Sequence, residues 1–138
     1  MQEMLATLTK GDYEQLALCR TVIRRFLRRS EEAARAAGVT PQQHQLLLAV
    51  KGQQGRDWAC IGELADALQI RHHAAVGLVD RCEAAGLVQR SQGLRDRRQV
   101  RVLLTQQGED LLARLESAGR DELDRLRAGF LGLNDMLL

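Results

Sequence analysis

A chain of 138 residues is long enough for one domain with a real hydrophobic core. Apolar residues make up 45% but aromatics only 3%, so that core must be built from Leu, Ala and Val, and a single proline argues against an all-β fold. The net charge is only +2, which excludes little by itself and leaves its distribution to be read. The start "MQEMLATLTKGDYE" lacks a basic stretch followed by an apolar one, so no secretory signal is expected. No window approaches the length of a membrane span, and a cytoplasmic protein with no membrane partner is expected. Cys19, Cys60 and Cys82 are odd in number, widely spaced and free of any C-x-x-C pair. They predict neither a disulfide framework nor a structural zinc site.

In chain order, residues 12–37 are predicted to form a long helix, capped by Asp12 and ended by Gly38. Leu16, Cys19, Ile23, Phe26, Leu27 and Ala34 recur at helical spacing, and Arg20, Arg24, Arg28 and Arg35 stripe the other side. "TPQQ" opens a second helix, with Thr40 as N-cap, Pro41 at N1 and Gln43 completing a capping box. After the turn "QQGRDW", the residues "ACI" are expected as a very short strand. Ile61, Leu64, Ala65 and Leu68 then fall on one face of a short helix. Past the break "QIRHH", Ala75, Leu78, Val79 and Cys82 do the same on another, which ends at Gly86. "LVQRS" and "VRVLL" read as two strands around the loop "GLRDRRQ". Thr105 is expected to cap a last long helix over about 106–128, with a bend at Gly119.

The charge is unevenly spread. Between Arg71 and Arg101 stand seven Arg and three acidic residues, a local excess of +4, while the remaining 13 basic and 15 acidic residues sum to −2. A local excess on a near-neutral chain is the footprint of a phosphate-rich partner. Two short amphipathic helices followed by a basic hairpin are the element order of a winged helix–turn–helix. The second helix of such a pair can lie in a major groove, and a basic hairpin tip can reach a minor groove.

The segments "TPQQHQLLLAV", "IGELADALQI", "AAVGLVDRCEAAGLVQRS" and "RDRRQVRVLLTQQGEDLL" resemble the MarR family of bacterial transcriptional regulators over residues 12–128. The motifs that carry the resemblance are "LVDRCEAAGLVQR" and "DRR" before a strand and "LT..G". It implies a mainly α fold with a small β-hairpin: a winged helix–turn–helix lobe at 40–105, with dimerisation helices at 1–37 and 106–138. It implies a homodimer on a palindromic double-stranded DNA operator, and a small-molecule effector or an oxidant that often releases the DNA. Carried over residue by residue, Asp96 would orient Arg98 into the minor groove, with Arg95 and Arg97 on or near phosphates. Arg71, His72, His73 and Ala74, with Val76 and Gly77 on the next turn, would face the major groove. The family commonly has Ser, Thr and Arg in that region, and Gly77 stands where Arg is frequent. Ala74, Val76 and Gly77 offer no side-chain hydrogen bonds, so readout is expected to lean on thymine methyls and DNA shape.

Each of these residues has a plainer reading. The arginine loop could be a solvated turn in a chain with 18 Arg and 2 Lys, but its place on a wing-like hairpin favours DNA contact. His72 and His73 diverge by about 100° on a helix and do not chelate together. His44 and Cys19 are the candidates for lining an effector pocket. A structural role is favoured for His44, and Cys19, on the apolar face, is favoured as an inert packed thiol rather than a redox sensor. Cys60 and Cys82 are read as structural. No phosphate loop, nucleophile elbow or zinc-protease motif is present, so no enzyme activity, cofactor or metal is expected.

The leading expectation is a dimeric, sequence-specific DNA-binding regulator, a repressor relieved by a small ligand. The alternative is a winged-helix module for protein–protein contact with weak or no specific DNA binding, motivated by the bland "AAVG" surface. The tail "GFLGLNDMLL" carries Phe130, Leu131, Leu133, Met136, Leu137 and Leu138, too apolar to be left in water, and burial against a second subunit is expected. Deleting residues 130–138 should therefore dissociate or destabilise the dimer, and a stable dimer by light scattering after the deletion would overturn this reading of the tail.

Overall fold

The computed structural model describes residues 7–137, without the side chains of 118, 122 and 130–137. The side chains of the apolar tail residues singled out above, and Leu138 altogether, therefore lie outside what is described. Among the described residues six helices and three strands follow in order: α1 (Lys10–Ala36), α2 (Pro41–Lys51), β1 (Trp58–Cys60), α3 (Ile61–Leu68), α4 (His72–Ala84), β2 (Val88–Gln92), β3 (Val100–Leu104), α5 (Gln106–Ala118) and α6 (Arg120–Leu137). The strands form one antiparallel sheet in the order β1-β3-β2. The expected hairpin is thus widened by a third strand, because Trp58–Cys60 pairs with Arg101–Leu103. The chain divides into two compact units, residues 31–118 and residues 1–30 with 119–138.

The core of the 31–118 unit is aliphatic, as the composition required. Leu46, Leu47 and Val50 of α2 meet Leu64 of α3, Leu78, Val79 and Cys82 of α4, and Val88 and Val102 of the sheet. Leu111, Leu112 and Leu115 of α5 close it, so this helix belongs to the core of the winged lobe. The Thr40 capping box is present in full, with Gln43 N–H to Thr40 Oγ1 at 3.1 Å and Thr40 N–H to Gln43 Oε1 at 2.9 Å.

Two helix termini differ from the sequence reading. At the start of α1, Thr9 is the cap: Asp12 N–H donates to Thr9 Oγ1 at 3.2 Å, and Asp12 Oδ2 accepts from Thr9 N–H at 2.8 Å. Asp12 is thus the acidic partner in the first turn rather than the cap. The helix expected over 106–128 is two helices, because it breaks at Gly119, which lies outside both α5 and α6. A glycine gives up more chain entropy in a helix than any other ordinary residue, so the Leu pattern alone does not carry the helix through.

In the other unit, the apolar side of α1 is largely uncovered within one chain. Leu16, Ile23 and Leu27 are 52%, 38% and 42% exposed.

The root of the hairpin is tight. Leu87 N–H closes α4 by donating to Cys82 O at 2.9 Å, and Leu87 O accepts from Thr105 N–H at 3.0 Å. Thr105 Oγ1 donates to Gly86 O at 2.6 Å and accepts from Gly108 N–H at 3.1 Å. The first turn of α5 is thereby drawn onto the end of α4, and a Cβ on Gly108 would meet Leu87 O at 2.1 Å. Gly108 is the glycine of the "LT..G" pattern, and this contact is its physical reason. Gly108→Ala must push the two backbones apart; we expect a loss of about 3 kcal/mol of stability, read by denaturant melts. An unchanged midpoint would show that the contact is not tight.

Candidate nucleic-acid interface

The α3–α4 turn is set by local hydrogen bonds. Gln69 takes a left-handed conformation, φ 55°, and Ile70 N–H donates back to Ala65 O at 3.0 Å. Arg71 then starts α4 with no side-chain cap, so the first amides of the helix have no side-chain acceptor. Ala75, Leu78, Val79 and Cys82 are buried, as their spacing predicted. Arg71, His72, His73 and Ala74 are exposed and Val76 and Gly77 half-buried, so these six candidates share the accessible surface of the first two turns.

The hairpin is fastened to α4 by Arg90. Its Nη1 donates to Glu83 Oε1 at 2.8 Å and its Nη2 to Asp80 Oδ1 at 2.6 Å. One guanidinium on β2 thus holds two carboxylates one turn apart on α4, a forked geometry that fixes direction as well as distance. This clamp was not read from the sequence, although Arg90 ends the "LVDRCEAAGLVQR" motif and both acids lie inside it.

At the tip, Gly93 N–H donates to Gln99 O at 2.8 Å and Gln99 N–H to Asp96 O at 3.1 Å, which closes the loop. Asp96 Oδ1 accepts from the Arg98 amide at 3.0 Å and lies 3.6 Å from Arg98 Nε. The carboxylate therefore holds both the backbone and the root of the guanidinium, while the Arg98 side chain is 96% exposed. Arg95 and Arg97 are exposed beside it.

Arg101, the fourth arginine of this stretch, has a different place. It stacks on Trp58 with its guanidinium carbon 3.9 Å from the ring centroid, and Arg56 stacks on the same ring at 4.2 Å. Arg101 Nε also donates to Gln99 Oε1 at 3.2 Å. Arg56 pairs through both terminal nitrogens with Glu63, whose Oε1 in turn accepts from the Cys60 amide at 3.0 Å. Arg56 and the Cys60 amide hold the Glu63 carboxyl below its usual range. Burial, reinforced by the Glu63 charge, pushes the Cys60 thiol up. Burial also pushes the Cys82 thiol up to about 11. Neither thiol is placed to react as a thiolate.

The two residues suggested for an effector pocket lie in different units. His44 is 6% exposed, and its Nε2 lies 2.5 Å from Glu116 Oε1, so it joins α2 to α5 inside the winged lobe. Cys19 is half-buried in a shallow groove on α1 with Leu16, Arg20, Ile23 and Arg24. Among the described residues no His, Cys, Asp and Glu cluster could hold a metal ion, and no helix is long and apolar enough to cross a membrane.

Comparison with known proteins gives one family. Residues 37–99 match the sequence model of the MarR family. No curated protein sequence matches the chain. Among solved structures, a MarR family protein from Bacillus stearothermophilus has a TM-score of 0.76 at 23% identity, over 88% of this chain and 82% of that one. A mutant of MepR from S. aureus bound to an oligodeoxyribonucleotide has a TM-score of 0.65 at 18% identity, over 96% of this chain and all of that one, 100%. BpsR of Bordetella bronchiseptica, described for regulation of its DNA binding by 6-hydroxynicotinic acid, has a TM-score of 0.64 at 19% identity, over 99% and 95%.

The stacked arginine and the exposed ones should separate in experiment. Arg101→Ala is expected to cost about 1 kcal/mol of stability and to shift the emission of Trp58, the only tryptophan. Emission and melting unchanged from the parent protein would show that the stack contributes nothing in solution.

Proposed function

We propose, from the match of residues 37–99 to the model of the MarR family, that the chain is a winged helix–turn–helix regulator and a homodimeric repressor of a palindromic operator. Each protomer lays α4 in a major groove and the 93–99 loop along the adjacent minor groove. The observation that carries this reading is the Asp96–Arg98 pair: a fully exposed guanidinium held by a neighbouring carboxylate at the tip of a loop with two more exposed arginines. A guanidinium so placed suits the negative potential of a narrow minor groove. Arg95, Arg97 and the uncapped start of α4, with Arg71, supply phosphate contacts. The protein acts by binding and carries out no chemistry.

The exposed apolar side of α1 supports the homodimer. Leu16, Ile23 and Leu27 form the kind of stripe that a second copy of the same helix covers. Two-fold symmetry then sets the recognition helices about one DNA turn, roughly 34 Å, apart. A small ligand relieves repression by preferring a spacing of the two lobes that does not fit the operator, and its effect is bounded by its differential affinity for the two spacings. BpsR, whose DNA binding is regulated by 6-hydroxynicotinic acid, supports such a step.

Fluorescence anisotropy tests the proposal, with the DNA upstream of the chain's own gene and a scrambled duplex at two salt concentrations. Selective binding that weakens with salt is expected, and Arg98→Ala should weaken it by about tenfold to a hundredfold without dissociating the dimer. Equal, weak binding to both duplexes would favour the protein–protein module, which has no use for an oriented arginine at the wing tip.

A further inference from the structure

The accessible face of α4 is poor in polar groups at its middle, where Ala74, Val76 and Gly77 stand. Gly77 leaves a gap in that face, and the gap is filled. A Cβ built on Gly77 would meet Arg81 Nη1 at 3.4 Å, so the Arg81 guanidinium lies against the bare backbone there. Helix geometry explains it. Residues four apart share a face, and side chains lean toward the helix N-terminus. An arginine at 81 therefore delivers its charged end one turn earlier, beside residue 77, provided that no side chain at 77 takes the space.

Arg81 is also uncommitted. It is exposed and makes no hydrogen bond or ion pair with the described residues. The carboxylates nearest to it in sequence, Asp80 and Glu83, are both held by Arg90. The clamp that ties β2 to α4 thus removes the partners that would otherwise pull Arg81 to the helix flank.

We propose that Arg81 is the base-reading residue of α4, its guanidinium standing where the side chain absent from Gly77 would be. The proposal rests on the reading that α4 enters the major groove. There a guanidinium meets guanine O6 and N7 with two parallel N–H donors, a contact that no other residue of the middle of this face can make. Its place against Gly77, on the side of α4 away from the buried stripe, points it at base edges rather than at the phosphates that flank a groove.

The test uses the full-length protein and an operator selected from a randomised duplex pool, then a set of single base-pair variants of that operator. Arg81→Ala and Arg81→Lys are compared with the parent by anisotropy, with dimer state and melting as controls. Arg81→Ala should lose about tenfold to a hundredfold in affinity for the selected operator. The loss should appear as a vanished preference at one symmetric guanine position per half-site, with the other preferences intact. Arg81→Lys should keep the salt dependence but lose the same preference, because an ammonium lacks the fork. A uniform loss over all variants, with a salt slope reduced by about 0.9 for each phosphate contact removed, would make Arg81 a phosphate contact and overturn the proposal alone. Unchanged affinity would overturn it too. If the parent protein selects no sequence from the pool, both this proposal and the operator-binding reading fall.

Discussion

The approach of Gly108 to the carbonyl of Leu87 is the constraint on which the winged lobe depends. Leu87 ends α4, begins the hairpin and receives the Thr105 amide, so one residue fixes three elements. A Cβ in the way, 2.1 Å from that oxygen, would force α5 off the hairpin root. Leu111, Leu112 and Leu115 would then no longer sit over α2, and the core would open at the side where His44 meets Glu116. A close backbone contact of this kind tolerates no gradual adjustment, because packed interiors have no spare volume to relax into. Everything the lobe presents outward, the exposed side of α4 and the loop beyond β2, is oriented from this point.

The four arginines of the segment 95–101 divide by what surrounds them. Arg101 lies beside Trp58 and Gln99 and becomes part of the sheet surface, while Arg95, Arg97 and Arg98 find no aromatic face and stay in water. Arg90 is engaged by Asp80 and Glu83, which ties the hairpin to α4. The local charge excess is therefore larger than the charge available to a partner. What is available is concentrated at the loop tip and along α4, where Arg71, Arg95 and Arg97 are exposed and Arg98, though held by Asp96, keeps its guanidinium in water.

How much of this was legible depended on how local each cause is. The Thr40–Pro41–Gln43 start of α2 and the buried stripe of α4 follow from spacing within one helix, and both stand where the sequence put them. Asp12 takes the other role of a capping box because Thr9, three residues before it, accepts its amide and donates its own to the Asp12 carboxylate. The strand at Trp58–Cys60 was faint, since its pairing is with residues far along the chain. The difference between Arg101 and Arg98 was invisible for the same reason: it turns on Trp58. Gly108 could be matched as a pattern but not explained, because the carbonyl that demands it belongs to another element. The pairing of His44 with Glu116 likewise needed α2 and α5 side by side, which no periodicity specifies.

The sparse face of α4 and the apolar side of α1 belong to one problem. A specific site must beat non-specific DNA by about 4–10 kcal/mol. A single bidentate base contact supplies about 1–3 kcal/mol, and Ala74, Val76 and Gly77 add only apolar surface. On the proposed reading one such lobe falls short, however many phosphates its wing would touch, because phosphates are the same in every sequence. Two-fold symmetry doubles each discriminating term, which brings a surface with few base contacts into the required range. If α4 enters a major groove as proposed, so sparse a face gains more from a partner copy than one rich in polar side chains would, and Leu16, Ile23 and Leu27, left uncovered within one protomer, are the surface that we propose such a copy covers.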